Sequence, residues 1–341
     1  MKILFAVRND GADAYFRAVA PASMLRFQGI ECEARGVSLE DAAEYDVLVL
    51  QRHCSVEAEL LVVEFHTRGK KVVYDVDDWV PGIPPFWPAY DDYFERGEMK
   101  PKAALIMHER LLRQADVVTC TVPALAEKML KYNEQVRVLP NCIMWADWDT
   151  VLPAQKKIDG PVVGWFGLPY YWDTWKAITP VLEETIREID GYLSILGYPE
   201  VVTMFSPWLR SRTFVEPMVR WKDFRKFRSL IQTFDVGLAW METTPFNLCK
   251  SPLKAFQYGA AGVPVIASGA VYGDVLSGSY AGEYGALAQT PADLNYLIKD
   301  ALDKPEPWQL RAKAWRDQVW ARHTYETQWT RWKEVFQEVT A

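Results

Sequence analysis

The sequence predicts an α/β protein made of two parallel-sheet halves followed by C-terminal helices, and three observations predict it. Short β-branched apolar runs alternate with helix-length segments through residues 1–139. The pattern breaks and then restarts from residue 162. The tail from Pro307 carries Trp, Arg and Glu at helical spacing. Alternation of this kind implies parallel strands covered by helices on both faces.

In chain order, the first half offers strands at Ile3–Val7, Glu31–Arg35, Asp46–Leu50, Lys71–Asp75, Val117–Thr121 and Val136–Leu139. Helical patterns lie between them, near 14–28, 55–68, 103–115 and 123–132. Gly29 and Gly69 follow the first two and suit left-handed C-caps. The stretch "LPNCIMWADWDTVLPAQKKIDGP" (139–161) is turn-rich and reads as a linker. Strands resume at Val162–Phe166, Tyr192–Leu196, Val236–Ala239, Val263–Ala267 and Gly285–Ala288. The expected domains are therefore 1–150 and 151–306, with helices over 307–341 packing back across them.

At 341 residues the chain is long for a single hydrophobic core. Half of it is hydrophobic, enough for two cores. The net charge of −7 argues against global attraction to a polyanion, though not against a local basic patch. Fifteen Trp and sixteen Tyr suit packing, or stacking on sugar and base rings. Five scattered cysteines and four histidines suggest neither a zinc site nor a disulfide framework. The opening "MKILFAVRNDG" has too short an apolar run for a signal peptide, and no stretch approaches the ~20 apolar residues of a membrane span. A cytoplasmic chain with no membrane span is expected.

"KKVVYDVDDWVPGIPP" (70–85) sets Asp75, Asp77 and Asp78 at the end of an apolar run. Three readings compete: oxygen ligands for a hard divalent cation, a carboxylate for proton transfer, or a polar strand end. Strand alternation puts Asp75 and Asp77 on one face, with Asp78 starting the loop. Open parallel sheets bind ligands beyond the carboxyl ends of their strands, where this string lies.

"FNLCKSPLKAFQYGAAGVPVIASG" (246–269) reads as a helix followed by a buried strand. Ser251 suits the N-cap, Pro252 the first helical position and Gly262 the stop. Lys250, Lys254 and the helix N-terminus together suit a diphosphate, and Gln257, on the face of Lys254, suits ribose hydroxyls. An ordinary helix with two solvated lysines has the same pattern.

This second stretch resembles the "PxKxxEYxAxGxPVIAS" segment of GT-B glycosyltransferases, particularly retaining enzymes of the family 4 type. "VGWFG" (163–167), with Gly164 and Gly167, resembles the glycine turn after the first donor-domain strand. "VRWKDFRKFRSLIQTFDVGLAW" (219–240) resembles the nucleobase-binding loop, helix and strand. "RVLPN" (137–141) resembles the end of the acceptor domain. "GADAYFRAVAPASML" (11–25) resembles the first loop and helix, with Gly11 and Arg17 on the acceptor side. The family's paired glutamates fall here on Cys249 and Gln257. The Arg of its diphosphate clamp is missing, with Lys176 a weak substitute.

The resemblance implies two Rossmann-like domains facing a cleft. It implies transfer of a sugar from a UDP- or GDP-sugar to an acceptor hydroxyl, without cofactor or metal. Gly164, Gly167, Lys250, Ser251, Lys254 and Gln257 would bind the donor. Asp75, Asp77 and Asp78 would lie on the acceptor side, one of them a base if the reaction inverts; His53 and His108 are further candidates. The acceptor would be a saccharide or small molecule. The segment 208–228, "WLRSRTFVEPMVRWKDFRKFR", interleaves seven basic residues with five aromatics. With a likeness to compact phage enzymes, it keeps modified, hydroxymethylated DNA open as the acceptor. A non-catalytic module that binds nucleotide sugar or glycan is the alternative of another class.

Overall fold

The computed structural model describes residues 1–87, 89–95, 100–149, 154–156, 159–167, 172–197, 199–217, 224–277 and 283–341. The expected linker positions 150–153 and 157–158, and the basic–aromatic positions 218–223, lie outside them. The chain forms two compact units. One comprises Met1–Cys142, Leu248–Ser251 and Tyr325–Ala341; the other comprises Ile143–Asn247 and Pro252–Thr324.

In the first unit the strands are β1 (Ile3–Ala6), β2 (Cys32–Arg35), β3 (Val47–Gln51), β4 (Lys71–Val76), β5 (Phe94–Glu95), β6 (Lys100–Pro101), β7 (Val117–Cys120) and β8 (Val136–Val138). Six form a sheet in the order β2-β1-β3-β4-β7-β8, parallel throughout. β1, β3 and β7 are buried along their whole length, which is why they read as unbroken apolar runs. β5 and β6 make a short antiparallel ribbon that sequence reading did not anticipate. Gly29 and Gly69 do take left-handed φ angles of 80° and 68°. The helix Tyr325–Thr340 lays Trp332, Val335, Phe336 and Val339, at helical spacing, against Ile3, Phe5 and Val73.

The second unit contains β9 (Val162–Phe166), β10 (Tyr192–Gly197), β11 (Thr213–Pro217), β12 (Val236–Ala239), β13 (Val265–Ser268) and β14 (Ala286–Ala288). They form a second parallel sheet in the order β11-β10-β9-β12-β13-β14. β11 was not expected; it is an edge strand, where Pro217 costs no interior ladder bond. The helix Leu253–Ala261 packs on the helix Pro305–Arg322, with Trp315 Nε1 donating to the Ala255 carbonyl at 2.7 Å. Among the described residues no helix is long and apolar enough to cross a membrane.

Gly164, expected to touch the donor, is closely packed within its own unit. It lies in β9, and a Cβ there would fall 1.9 Å from the Phe234 ring. Gly164→Ala should lower stability by about 1–3 kcal/mol through overpacking, read as a fall in the urea midpoint.

Candidate functional site

The carboxyl edge of the first sheet sorts the three aspartates. Asp75, in β4, is fully buried and grips Arg17 in a two-pronged pair: Arg17 Nη2 to Oδ1 at 2.6 Å and Nε to Oδ2 at 2.9 Å. Thr119 Oγ1, its register partner on β7, donates to Oδ1 at 2.6 Å. Arg17 Nη1 donates to the Leu139 carbonyl at 2.6 Å and to Asn141 Oδ1 at 3.1 Å. Arg17 belongs to a single π-helical turn, Tyr15–Val19, inserted in the first crossover helix. Asp75 has both oxygens committed to buried donors, and Arg17 has no exposed surface.

Asp77 and Asp78 follow β4 and meet a residue that sequence reading missed, Arg52. Its Nε lies 2.9 Å from Asp77 Oδ1 and its Nη1 3.4 Å from Asp78 Oδ2. Its Nη2 donates to Asp13 Oδ2 at 2.9 Å. Arg52 adopts a left-handed backbone (φ 47°) just past β3, uncommon for a residue with a side chain. Asp13 also takes Arg8 Nη2 at 3.3 Å. Gly11 lets this corner close, since a Cβ there would lie 2.6 Å from Asp13 Oδ1.

Lys250 also belongs to this edge. Leu248–Ser251 is counted with the first unit although the flanking chain is not. Cys249 is buried in that unit's core, its thiol 3.7 Å from the Ala124 carbonyl. Lys250 is thereby brought to Asp78, Nζ to Oδ1 at 2.6 Å, with its ammonium 4.5 Å from the Trp87 ring centre. Cys249 occupies a position where a carboxylate would lose its hydration.

The two remaining aspartates differ in how tightly they hold a proton. Burial pushes the Asp77 carboxyl up to about 6, against the pull of Arg52 and helped by the nearby Asp78 charge. Burial also acts on Asp78, but Lys250 and Arg52 outweigh it and hold Asp78 below the usual carboxylate range. Asp77 thus holds its proton more tightly than Asp78 does.

The histidines are poor alternatives. His108 is fully buried, its Nδ1 2.8 Å from the Tyr74 hydroxyl, and burial lowers it to about 3. Burial and Arg8 lower His53 to about 4. Both are neutral and weakly basic at pH 7.

In the second unit Lys254 and Gly167 come together. Gly167 has φ 153°, in a region that favours glycine, and a Cβ there would lie 2.8 Å from Lys254 Nζ and 2.9 Å from the Trp165 ring. Lys254 is 9% exposed, and its ammonium sits 4.3 Å from the Trp165 ring centre. Gln257, nearly one turn on, is buried as well. The helix starts one step later than expected, with Pro252 rather than Ser251 at the cap. Among the described residues the buried Ser251 hydroxyl meets no hydrogen-bond partner. Gly262 ends the helix in the left-handed conformation (φ 70°). Lys176 is exposed.

Three basic residues of 208–228 serve local structure. Arg228 pairs with Asp147 at 2.8 Å, Arg212 with Asp190 at 2.8 Å, and Arg210 Nε donates to the Val202 carbonyl at 2.8 Å.

Residues 183–334 match the family described as glycosyl transferase-like. No curated protein matches the chain in sequence. Among solved structures the chain is similar to sucrose-phosphate synthase from Thermosynechococcus elongatus, at 15% identity and a TM-score of 0.65, covering 99% of both chains. It is also similar to Anabaena HepE in complex with UDP-glucose, at 13% identity and a TM-score of 0.70, covering 99% of this chain and 100% of that one. A third is an alpha-glucosyltransferase in complex with UDP-glucose and DNA containing an abasic site, at 10% identity and a TM-score of 0.63, covering 99% and 98%. The fold shared with them is the one read from the sequence, two parallel-sheet domains of the GT-B type.

Proposed function

We propose that this GT-B glycosyltransferase moves a sugar from a UDP-sugar to an acceptor hydroxyl and needs no metal ion to do so. The carrying observation is Lys254, held against Gly167 in the first turn of the helix Leu253–Ala261. A fixed ammonium and the positive end of a helix are suited to the charge that develops on a departing diphosphate. They supply the stabilisation a divalent cation gives elsewhere. UDP-glucose bound to HepE and to the alpha-glucosyltransferase supports the choice of donor.

On the acceptor side, Asp77 accepts the hydrogen bond of the reacting hydroxyl in either stereochemical course. Where the product is inverted it also takes the proton. The net charge of −7 favours a saccharide or small molecule over a polyanion as the acceptor.

A thermal-shift panel of UDP- and GDP-sugars tests the donor, since a ligand at 100 times its Kd stabilises by about 2.7 kcal/mol. UDP-glucose should raise the melting midpoint, and stabilisation by no nucleotide sugar would overturn the reading. Lys254→Ala should abolish the shift and lower transfer by about 100-fold or more. Transfer to a hydroxymethylated oligonucleotide, with steep salt dependence, would instead identify DNA as the acceptor.

A further inference from the structure

We infer that Arg52 is the positioning residue of the acceptor-side site: one guanidinium, held in a left-handed backbone, hydrogen-bonds Asp13 and Asp78 and sets its charge against Asp77 in the same array. The inference rests on the reading of Asp77 given above and deepens it. Arg52 lies just beyond β3, and its N–H donates to the Asp75 carbonyl at 3.0 Å, fixing it to β4. A left-handed conformation costs a residue with a side chain roughly 1–3 kcal/mol, and it persists where the surroundings over-determine it. Here three carboxylates do so, at 2.9, 2.9 and 3.4 Å.

The three carboxylates are not equivalent. Asp13 has a second cation in Arg8, and Asp78 has one in Lys250. Among the described residues Arg52 is the cation paired with Asp77, whose other polar contact is Gln51 Nε2 at 3.3 Å. The charges that Asp77 meets are therefore Arg52 beyond β3, Asp75 within β4, Asp78 beside it and Asp13 from the first crossover, with Lys250 acting through Asp78. Arg17 lies across Asp75 and neutralises it. Removing Arg52 leaves Asp77 among carboxylates with no counter-ion. Its protonation should then move upward, because like charges disfavour the ionised form. Arg52 keeps 15% and Asp77 16% of its side-chain surface exposed, so both remain open to solvent.

The test follows Asp77 directly. Protein labelled with ¹³C at aspartate carboxyls is titrated by NMR, the Asp77 signal being assigned by its loss in Asp77→Asn. Hydrolysis of UDP-glucose, with water as acceptor, is measured over the same pH range. Arg52→Gln should raise the Asp77 midpoint by about one pH unit or more. Arg52→Lys, which keeps the charge and loses the fork, should bring the midpoint back toward wild type but leave hydrolysis slower than in the wild type. The acidic limb of hydrolysis should move with the midpoint, and UDP-glucose should stabilise each variant as it does the wild type. An unmoved midpoint in Arg52→Gln, in a variant that still melts cooperatively, overturns the inference. If Arg52→Gln does not fold, Arg52→Lys decides, since a wild-type rate with a wild-type midpoint excludes a need for the fork. Failure of the underlying reading looks different: Asp77→Asn would then hydrolyse UDP-glucose at the wild-type rate, wherever the Asp77 midpoint lies.

Discussion

Asp77→Asn is expected to lower sugar transfer by about 10²- to 10⁴-fold while leaving the stabilisation by UDP-sugar intact. Amide for carboxylate preserves shape and removes both charge and basicity, so the loss reports chemistry rather than packing. The selection of Asp77 follows from what holds its neighbours. Asp75 is locked by Arg17 and Thr119, and Asp78 is kept ionised by Lys250 and Arg52. A carboxylate held ionised far below neutrality is a weak proton acceptor, whereas Asp77, pushed up to about 6, is better matched to the task. The sign is definite: the deprotonated form accepts the hydroxyl's hydrogen bond, so activity should rise with pH through an acidic limb near that value. Asp78→Asn should reduce the rate less and move the limb downward, because the negative charge that raises Asp77 is gone. An Asp77→Asn enzyme with wild-type turnover and an unchanged limb would sink the assignment.

Parts of this site were legible in sequence and others were not, for identifiable reasons. The β-branched runs located the sheets because parallel strands buried on both faces admit little else. The Asp string and the Lys254 helix stood out because local spacing places them at strand and helix ends. The partner of Asp77 did not, since Arg52 is 25 positions away and reaches it through register. β3 pairs with β4 so that Gln51 faces Asp75, which sets the next residue of each strand beside the other. A weak signal was present: polar Gln51–Arg52–His53 directly after "VLVL" is in β3 what the aspartates are in β4. Lys250 hid its partner for the opposite reason. Its nearness to Lys254 in sequence suggested a shared task, but burial of Cys249 in the first core carries Lys250 to Asp78. Tertiary packing overrode a local pattern.

Arg17→Ala should destabilise the protein by about 3–5 kcal/mol, because it leaves the Asp75 carboxylate buried and unpaired. Arg17 is also packed over Trp332, its guanidinium carbon 5.1 Å from the ring centre, so truncation opens space beneath the C-terminal helix. A buried pair is weaker support than this loss suggests, since much of the cost belongs to the stranded partner. Arg17→Met combined with Asp75→Leu should therefore recover most of the stability. Urea unfolding of the two single variants and the double variant forms the cycle, and a near-zero coupling would contradict the geometry. The same variants separate a structural Arg17 from an acceptor-binding one. A binding residue would raise KM for the acceptor with little change in melting. The buried pair predicts the reverse, a lower melting midpoint, with the KM of folded enzyme close to wild type.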